Sequence, residues 1–271
     1  MHRRGLHQRA PDGPAPAIWL LSGTGDGPVL AEALLQRGWH LLVSVVSAEA
    51  MRAYPPHPRL TVRSGPLADA GAVEAVLDQL RPRWVVDATH PFALQVSAQL
   101  QMVCERRHQP GLALARAAVG TAGPLPPERV VRIPDPTGLR QLDLRGVNLL
   151  LAIGSRQLPQ VLAASSAARH YARVLDRPIS LQLALAAGLP DDHLACLRPD
   201  PRGTGALERA LCRRWQIGAV LCRESGGEGE ALWHRLCAEL GLRLILVERP
   251  VTAPGLEALP LQALLEKLGA P

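Results

Sequence analysis

The residues best equipped for chemistry are Asp87-Ala88-Thr89-His90-Pro91-Phe92-Ala93. An acid, a hydroxyl and an imidazole fall within four positions, directly after the apolar run Trp84-Val85-Val86. A buried strand would deliver all three to its carboxyl end, where ligands of open α/β sheets bind. Imidazole titrates near neutral pH, so His90 can act as a proton donor, or it can cap the helix that follows. Asp87 can serve a reaction or bond loop amides. A second stretch, Ser22-Gly23-Thr24-Gly25-Asp26-Gly27, follows another apolar run, Ala17 to Ser22. Glycines there let backbone amides at a helix start approach a phosphate, although α/β loops also use glycine for geometry alone. The alternating Gly23, Gly25 and Gly27 do not make a full G-x-G-x-x-G.

About 20 residues past such a turn, an NAD site carries an acid for the ribose hydroxyl. Here the region reads Ser44-Val45-Val46-Ser47, with Glu49 and Arg52 beyond. Small hydroxyls plus an arginine suit a 2′-phosphate, hence NADP; the alternative is that Arg52 is a solvated helix residue.

The elements that must position these groups alternate strand and helix. Strands are expected at 17–22, 40–46, 60–63, 84–88, 112–116, 130–133, 148–153, 170–175, 193–197, 217–222 and 243–247. Helices are expected from Pro28, from Asp69 as an N-cap, from Pro91 as a first helical residue, and over 255–268 at the end. Continuous apolar strands argue for an α/β fold of parallel sheets covered on both faces. Two units follow, over 17–143 and 144–271, joined through the Pro- and Gly-rich stretch 117–145. Residues 1–16 carry three arginines but no apolar core of a secretory signal, and read as a disordered extension. The cytoplasm is the default compartment.

Composition excludes several classes. Of 271 residues, 47% are apolar and 20% charged, which is enough to build a core. No apolar run reaches the roughly 18 residues of a membrane helix. The net charge is +6, and Lys267 is the one lysine among 30 basic residues. Arginine forks suit carboxylates and phosphates. With aromatics at 3%, base-stacking surfaces are not expected, and an anionic small molecule fits better than nucleic acid. The five cysteines form no CxxC and no zinc-finger spacing, so they read as reduced core thiols and no metal site is expected.

DATHPFA after an apolar strand resembles the signature of the precorrin-6A reductases, which include the cobalt-precorrin-6A reductases of cobalamin biosynthesis. Further matches are the turn Leu21 to Gly27, the segment Val43 to Ser47, the R-x-G element Arg63-Ser64-Gly65, Leu221-Cys222-Arg223-Glu224-Ser225-Gly226-Gly227, and Val247-Glu248-Arg249-Pro250. The family commonly has G-G-T in its turn and a lysine before the later Ser-Gly, where this chain has Arg223.

The resemblance implies two Rossmann-like domains with a cleft between them, and it leaves open an exchange of strands between the domains that would move their boundary. It implies reduction of one double bond of the precorrin-6A macrocycle by hydride from a nicotinamide, usually NADPH, with NADH as the other donor. Gly23, Thr24, Gly25 and Gly27 would then hold the cofactor phosphates, with Ser44, Ser47 and Arg52 toward the adenosine. Asp87, Thr89 and His90 would line the reaction site, with His90 or water as proton source. Arg116, Arg156, Arg223 and Ser225 would meet substrate carboxylates or cofactor phosphates. The rivals are an NADP-dependent reductase of another anionic substrate and a non-catalytic nucleotide or tetrapyrrole carrier.

Overall fold

A computed structural model describes residues 18–23, 25–117, 119, 125–198, 200, 202–250 and 255–271. The extension expected over 1–16 lies outside them. In chain order the elements are β1 (Ile18–Ser22), α1 (Asp26–Gln36), β2 (Leu41–Val45), α2 (Ala48–Met51), β3 (Leu60–Ser64), α3 (Ala70–Leu80), β4 (Trp84–Ala88), α4 (Leu94–Arg106), β5 (Gly111–Leu114) and β6 (Val130–Ile133). Then come β7 (Asn148–Ala152), α5 (Leu158–Ala164), β8 (Arg169–Leu175), α6 (Pro178–Ala186), β9 (Leu194–Leu197), α7 (Ala206–Arg214), β10 (Ala219–Arg223), α8 (Glu228–Leu240), β11 (Arg243–Val247), β12 (Glu257–Leu259) and α9 (Leu261–Leu268).

These elements form two compact units. The first comprises residues 1–116 and 251–271, and the second residues 117–250. The first holds a parallel sheet of order β12-β5-β4-β1-β2-β3. Every residue of β1 and β2 is buried, because helices cover both faces. Ile18, Leu20, Leu41, Val43 and Val86 pack with Leu30 and Leu34 of α1 and with Leu264, Leu265 and Leu268 of α9. Alternate residues Trp19, Leu21, Leu42 and Val85 pack with Val73, Val76 and Leu77 of α3 and Leu100 and Val103 of α4. This two-sided burial is why the strands read as unbroken apolar runs. Asp69 caps α3 as expected, its Oδ1 accepting the Ala72 amide at 2.8 Å.

The second unit repeats the plan with the order β6-β11-β10-β7-β8-β9. Leu150, Val220, Cys222, Leu244 and Leu246 pack there with Cys212 of α7 and Trp233, Leu236 and Cys237 of α8. In each sheet the strand order reverses beside the first strand, between β1 and β4 and between β7 and β10. Loops diverge there and leave a crevice at the carboxyl ends.

Two features depart from the sequence reading. The chain after β5 does not add to the first sheet. Instead β6 registers Val130–Ile133 against Leu244–Val247 of β11, while β12 registers Glu257–Leu259 against Leu112–Leu114 of β5. Relative to a division at 143/144, β6 and β12 each join the sheet of the other half; the compact units instead divide at 116/117 and 250/251, with β12 and α9 returning to the first. The helix expected over 255–268 is accordingly a strand and then α9. The other departure is the start of α4 at Leu94 instead of Pro91. The His90 carbonyl accepts the Ala93 amide at 2.7 Å and His90 Nδ1 accepts the Phe92 amide at 3.2 Å, a local turn that competes with helix.

Candidate functional site

The register of β1 on β4 sets Leu21 beside Asp87 and Ser22 beside Ala88. The glycine turn and the DATHPFA segment, 60 or more positions apart in sequence, therefore leave adjacent strands at the switch point of the first sheet. The Gly23 Cα faces the His90 amide so closely that an added Cβ would lie 3.7 Å from that nitrogen.

The DATHPFA loop is held by its own polar atoms. Asp87 is buried, and its Oδ1 accepts the Thr89 amide at 2.9 Å. The Thr89 hydroxyl meets Ser97 Oγ on α4 at 3.1 Å. Since Nδ1 of His90 accepts a backbone amide, the neutral ring carries its proton on Nε2. Arg116 locks the loop from the β5 side. Its guanidinium donates to the carbonyls of Thr89 (2.7 Å) and Ala88 (3.0 Å) and pairs with Asp26 Oδ2 at 2.5 Å. The Arg116 side chain is 7% exposed. Expected as an anion contact, it is placed by the structure as the tie between the loop after β4 and the start of α1.

The start of α1 fits a phosphate. Gly25 is the N-cap and brings no side chain of its own to the helix start, and the space where a Gly25 Cβ would stand is open. The one acid of the first turn, Asp26, is paired with Arg116, which offsets its repulsion of an anion. Gly27 has another task. A Cβ there would coincide with Ser22 Oγ and the Tyr54 hydroxyl, with Ser22 Cβ 2.7 Å away. Tyr54 donates to Ser22 Oγ at 2.7 Å, and burial raises its phenol pKa against the opposing pull of that bond. Gly27 thus allows α1 to close on the end of β1. Thr24 lies outside the described residues.

The residues expected at the adenosine end divide. Ser44 is buried, and its Oγ accepts the Trp19 indole N–H at 2.9 Å. Ser47 is the N-cap of α2, its Oγ accepting the Ala50 amide at 3.4 Å. Arg52 is exposed at the end of α2.

The other candidates meet at the second switch point. Arg156 follows β7, while Arg223 and Ser225 end and follow β10. Arg223 Nη2 and Nε donate to Gln157 Oε1 at 3.0 and 3.2 Å, and burial lowers its pKa. Arg156 is exposed. The helix start here differs from that of α1. Glu230, on the first turn of α8 and buried, accepts the Gly226 amide at 2.7 Å through Oε2, so a carboxylate already sits against the turn before α8.

The sequence profile of the family described as precorrin-6x reductase CbiJ/CobK matches residues 17–267. The chain belongs to this family. A cobalt-precorrin-6A reductase of Synechocystis sp. is 34% identical over 88% of this chain and 90% of its own length. A precorrin-6A reductase of Mycobacterium tuberculosis is 30% identical over 89% and 92%. The solved structure of the CobK precorrin-6A reductase superposes with a TM-score of 0.76 at 24% identity, covering 94% of this chain and 99% of that one; at that identity it attests the fold.

In this member of the precorrin-6x reductase family, sequence reasoning missed three supporting groups. Tyr54 and Ser97 show no signal in sequence, because each bonds a partner on another element. Glu230 does carry one, standing three residues past an N-cap glycine where a carboxylate can reach back to loop amides.

Proposed function

We propose that this protein reduces one carbon–carbon double bond of precorrin-6A, or of its cobalt form, with hydride from NADPH or NADH, as a step of cobalamin biosynthesis. The observation that carries this reading is the juxtaposition of the glycine turn and the DATHPFA loop at one switch point, in a chain that matches the reductase family from residue 17 to 267. The nicotinamide, when bound, supplies the hydride. The remaining chemistry is positioning, which dominates such transfers.

The backbone amides of Gly25 and of the first turn of α1 bind the dinucleotide phosphates. The bonds of Asp87 to the Thr89 amide and of Arg116 to the Ala88 and Thr89 carbonyls fix the loop beside them. His90 holds a proton at Nε2, available to the carbon next to the one that receives hydride; water is the other source. Arg156, Arg223 and Ser225, at the second switch point, bind the acetate and propionate arms of the macrocycle through charge-assisted hydrogen bonds.

The test is anaerobic. Metal-free and cobalt-containing precorrin-6A are each incubated with the protein and with NADPH or NADH, following pigment spectrum and nicotinamide absorbance together. Coupled change of both signals with one form of substrate is expected. Nucleotide binding with no oxidation in any arm would leave a non-catalytic carrier or a reductase of another anion.

A further inference from the structure

Several described arginines of the first unit have partners, whether part-buried or exposed. Arg59 donates to the Leu35 and Gly38 carbonyls, Arg106 and Arg107 pair with Glu74 and Asp78, and Arg116 holds the loop after β4. Arg63 is different. It is part-buried on β3, and no acceptor or carboxylate among the described residues meets its guanidinium. Arg52 and Arg81, which also have no such partner, are exposed.

Its place in the sheet says what an anion there would be. Arg63 registers with Ser44, next to the last residue of β2, and Ser44 registers with Leu21 of β1. The side chains of one such row share a face. Asp87 lies in the same row but three strands away, about 14 Å at the usual strand spacing, too far to form an ion pair. Beyond Arg63 the chain turns away at Gly65, whose φ of +138° excludes most side chains and whose amide bonds the Val45 carbonyl at 3.0 Å. A dinucleotide whose phosphates sit at α1 lays its adenosine over the carboxyl ends of β2 and β3. Neither serine in that stretch is turned to the ribose, since Ser44 bonds Trp19 and Ser47 caps α2.

We infer that Arg63 receives the 2′-phosphate of NADPH and is the residue that selects NADPH over NADH. This rests on the dinucleotide reading above and goes beyond it by naming the selecting group, in place of Arg52. A guanidinium forks onto a phosphate through two N–H groups. Burial alone already depresses the Arg63 pKa, the mark of a cation partly stripped of water with nothing to offset the loss, and a dianion beside it would offset that loss.

The test measures dissociation constants of NADPH and NADH by calorimetry for the full chain and for R63Q, R63K and R52Q, with thermal unfolding as a check on folding. R63Q is expected to weaken NADPH by on the order of 10- to 100-fold and to leave NADH unchanged, with R63K between. Unchanged NADPH affinity in R63Q, equal losses for both nucleotides, or the NADPH-specific loss appearing in R52Q instead would each overturn the assignment while leaving the dinucleotide site in place. If the unaltered protein binds neither nucleotide, the dinucleotide reading fails and this inference fails with it.

Discussion

Gly27 shows how little space separates function from support at this site. A methyl group there meets Ser22 Oγ, Ser22 Cβ and the Tyr54 hydroxyl, so Gly27→Ala should cost about 1–3 kcal/mol, as overpacking does. Thermal unfolding measures this, and the second change Ser22→Ala should restore only part of it, because Ser22 Cβ still stands 2.7 Å away. Arg116 is a second case. Replacing it with leucine removes three hydrogen bonds, two of them to carbonyls, and should cost about 1–3 kcal/mol. Most of that should survive in a D26N background, because the two bonds to the Ala88 and Thr89 carbonyls are still there to be lost. A cycle in which the whole loss couples to Asp26 would contradict the loop-holding role. Thiols give a pH effect. Burial pushes Cys104 and Cys212 up to about 11 and Cys237 up to about 12, from an ordinary value near about 8.5. A raised thiol pKa means the folded state holds its proton longer. The stability it contributes is complete below about pH 8.5 and is lost as pH rises toward 11 and beyond. Urea melts between pH 8 and 11 should show falling stability, and alkylation of the native protein near pH 8 should be slow at these three positions.

Elements were legible where burial is two-sided and local. The continuous apolar runs of β1, β2, β4, β7, β10 and β11 announced parallel strands, and Asp69 marked the start of α3. The partners of the edge strands were not legible. Nothing in Val130–Ile133 or Glu257–Leu259 says which sheet each joins, since pairing is set by distant backbone and not by the strand's own pattern. The same limit hid the true start of α4, where loop hydrogen bonds of His90 outcompete the preference of proline for a first helical position. DATHPFA was legible as a site because three polar groups end an apolar strand. The roles of Ser44 and Arg116 were not, because a sequence does not show that one hydroxyl faces an indole or that a guanidinium faces two carbonyls. At this scale α9 is the test. Leu264, Leu265 and Leu268 are buried in the first core, and the Trp39 indole donates to the Gly269 carbonyl at 2.9 Å. Leu264→Ala should destabilise the first unit by about 2–5 kcal/mol, read by chemical denaturation.

For the whole molecule, the exchange of sixth strands decides where the chain can be cut. Residues 117–250 contain all six strands of the second sheet, and should fold alone to a cooperative unit by circular dichroism and thermal melting. Residues 1–143 lack β12 and α9 and carry β6 without β11, so this piece should not give a cooperative transition. Cooperative folding of 1–143 would contradict the pairing of β12 with β5. The two sheets share one strand plan, yet a buried carboxylate, Glu230, holds the turn before α8, while α1 starts at Gly25. The proposed function uses that difference, with the nucleotide on the first unit and Arg156 and Arg223 on the second.

Hydride transfer to the macrocycle is read out by following an isotope from nucleotide to pigment. The protein is incubated anaerobically with NADPH and NADH deuterated at the reactive nicotinamide carbon, each stereoisomer in turn, with both forms of precorrin-6A, and the pigment is analysed by mass spectrometry. One deuterium is expected in the dihydro product, from a single stereoisomer of the nucleotide. A nucleotide that binds yet keeps its deuterium with every substrate, while the pigment stays unreduced, would contradict it.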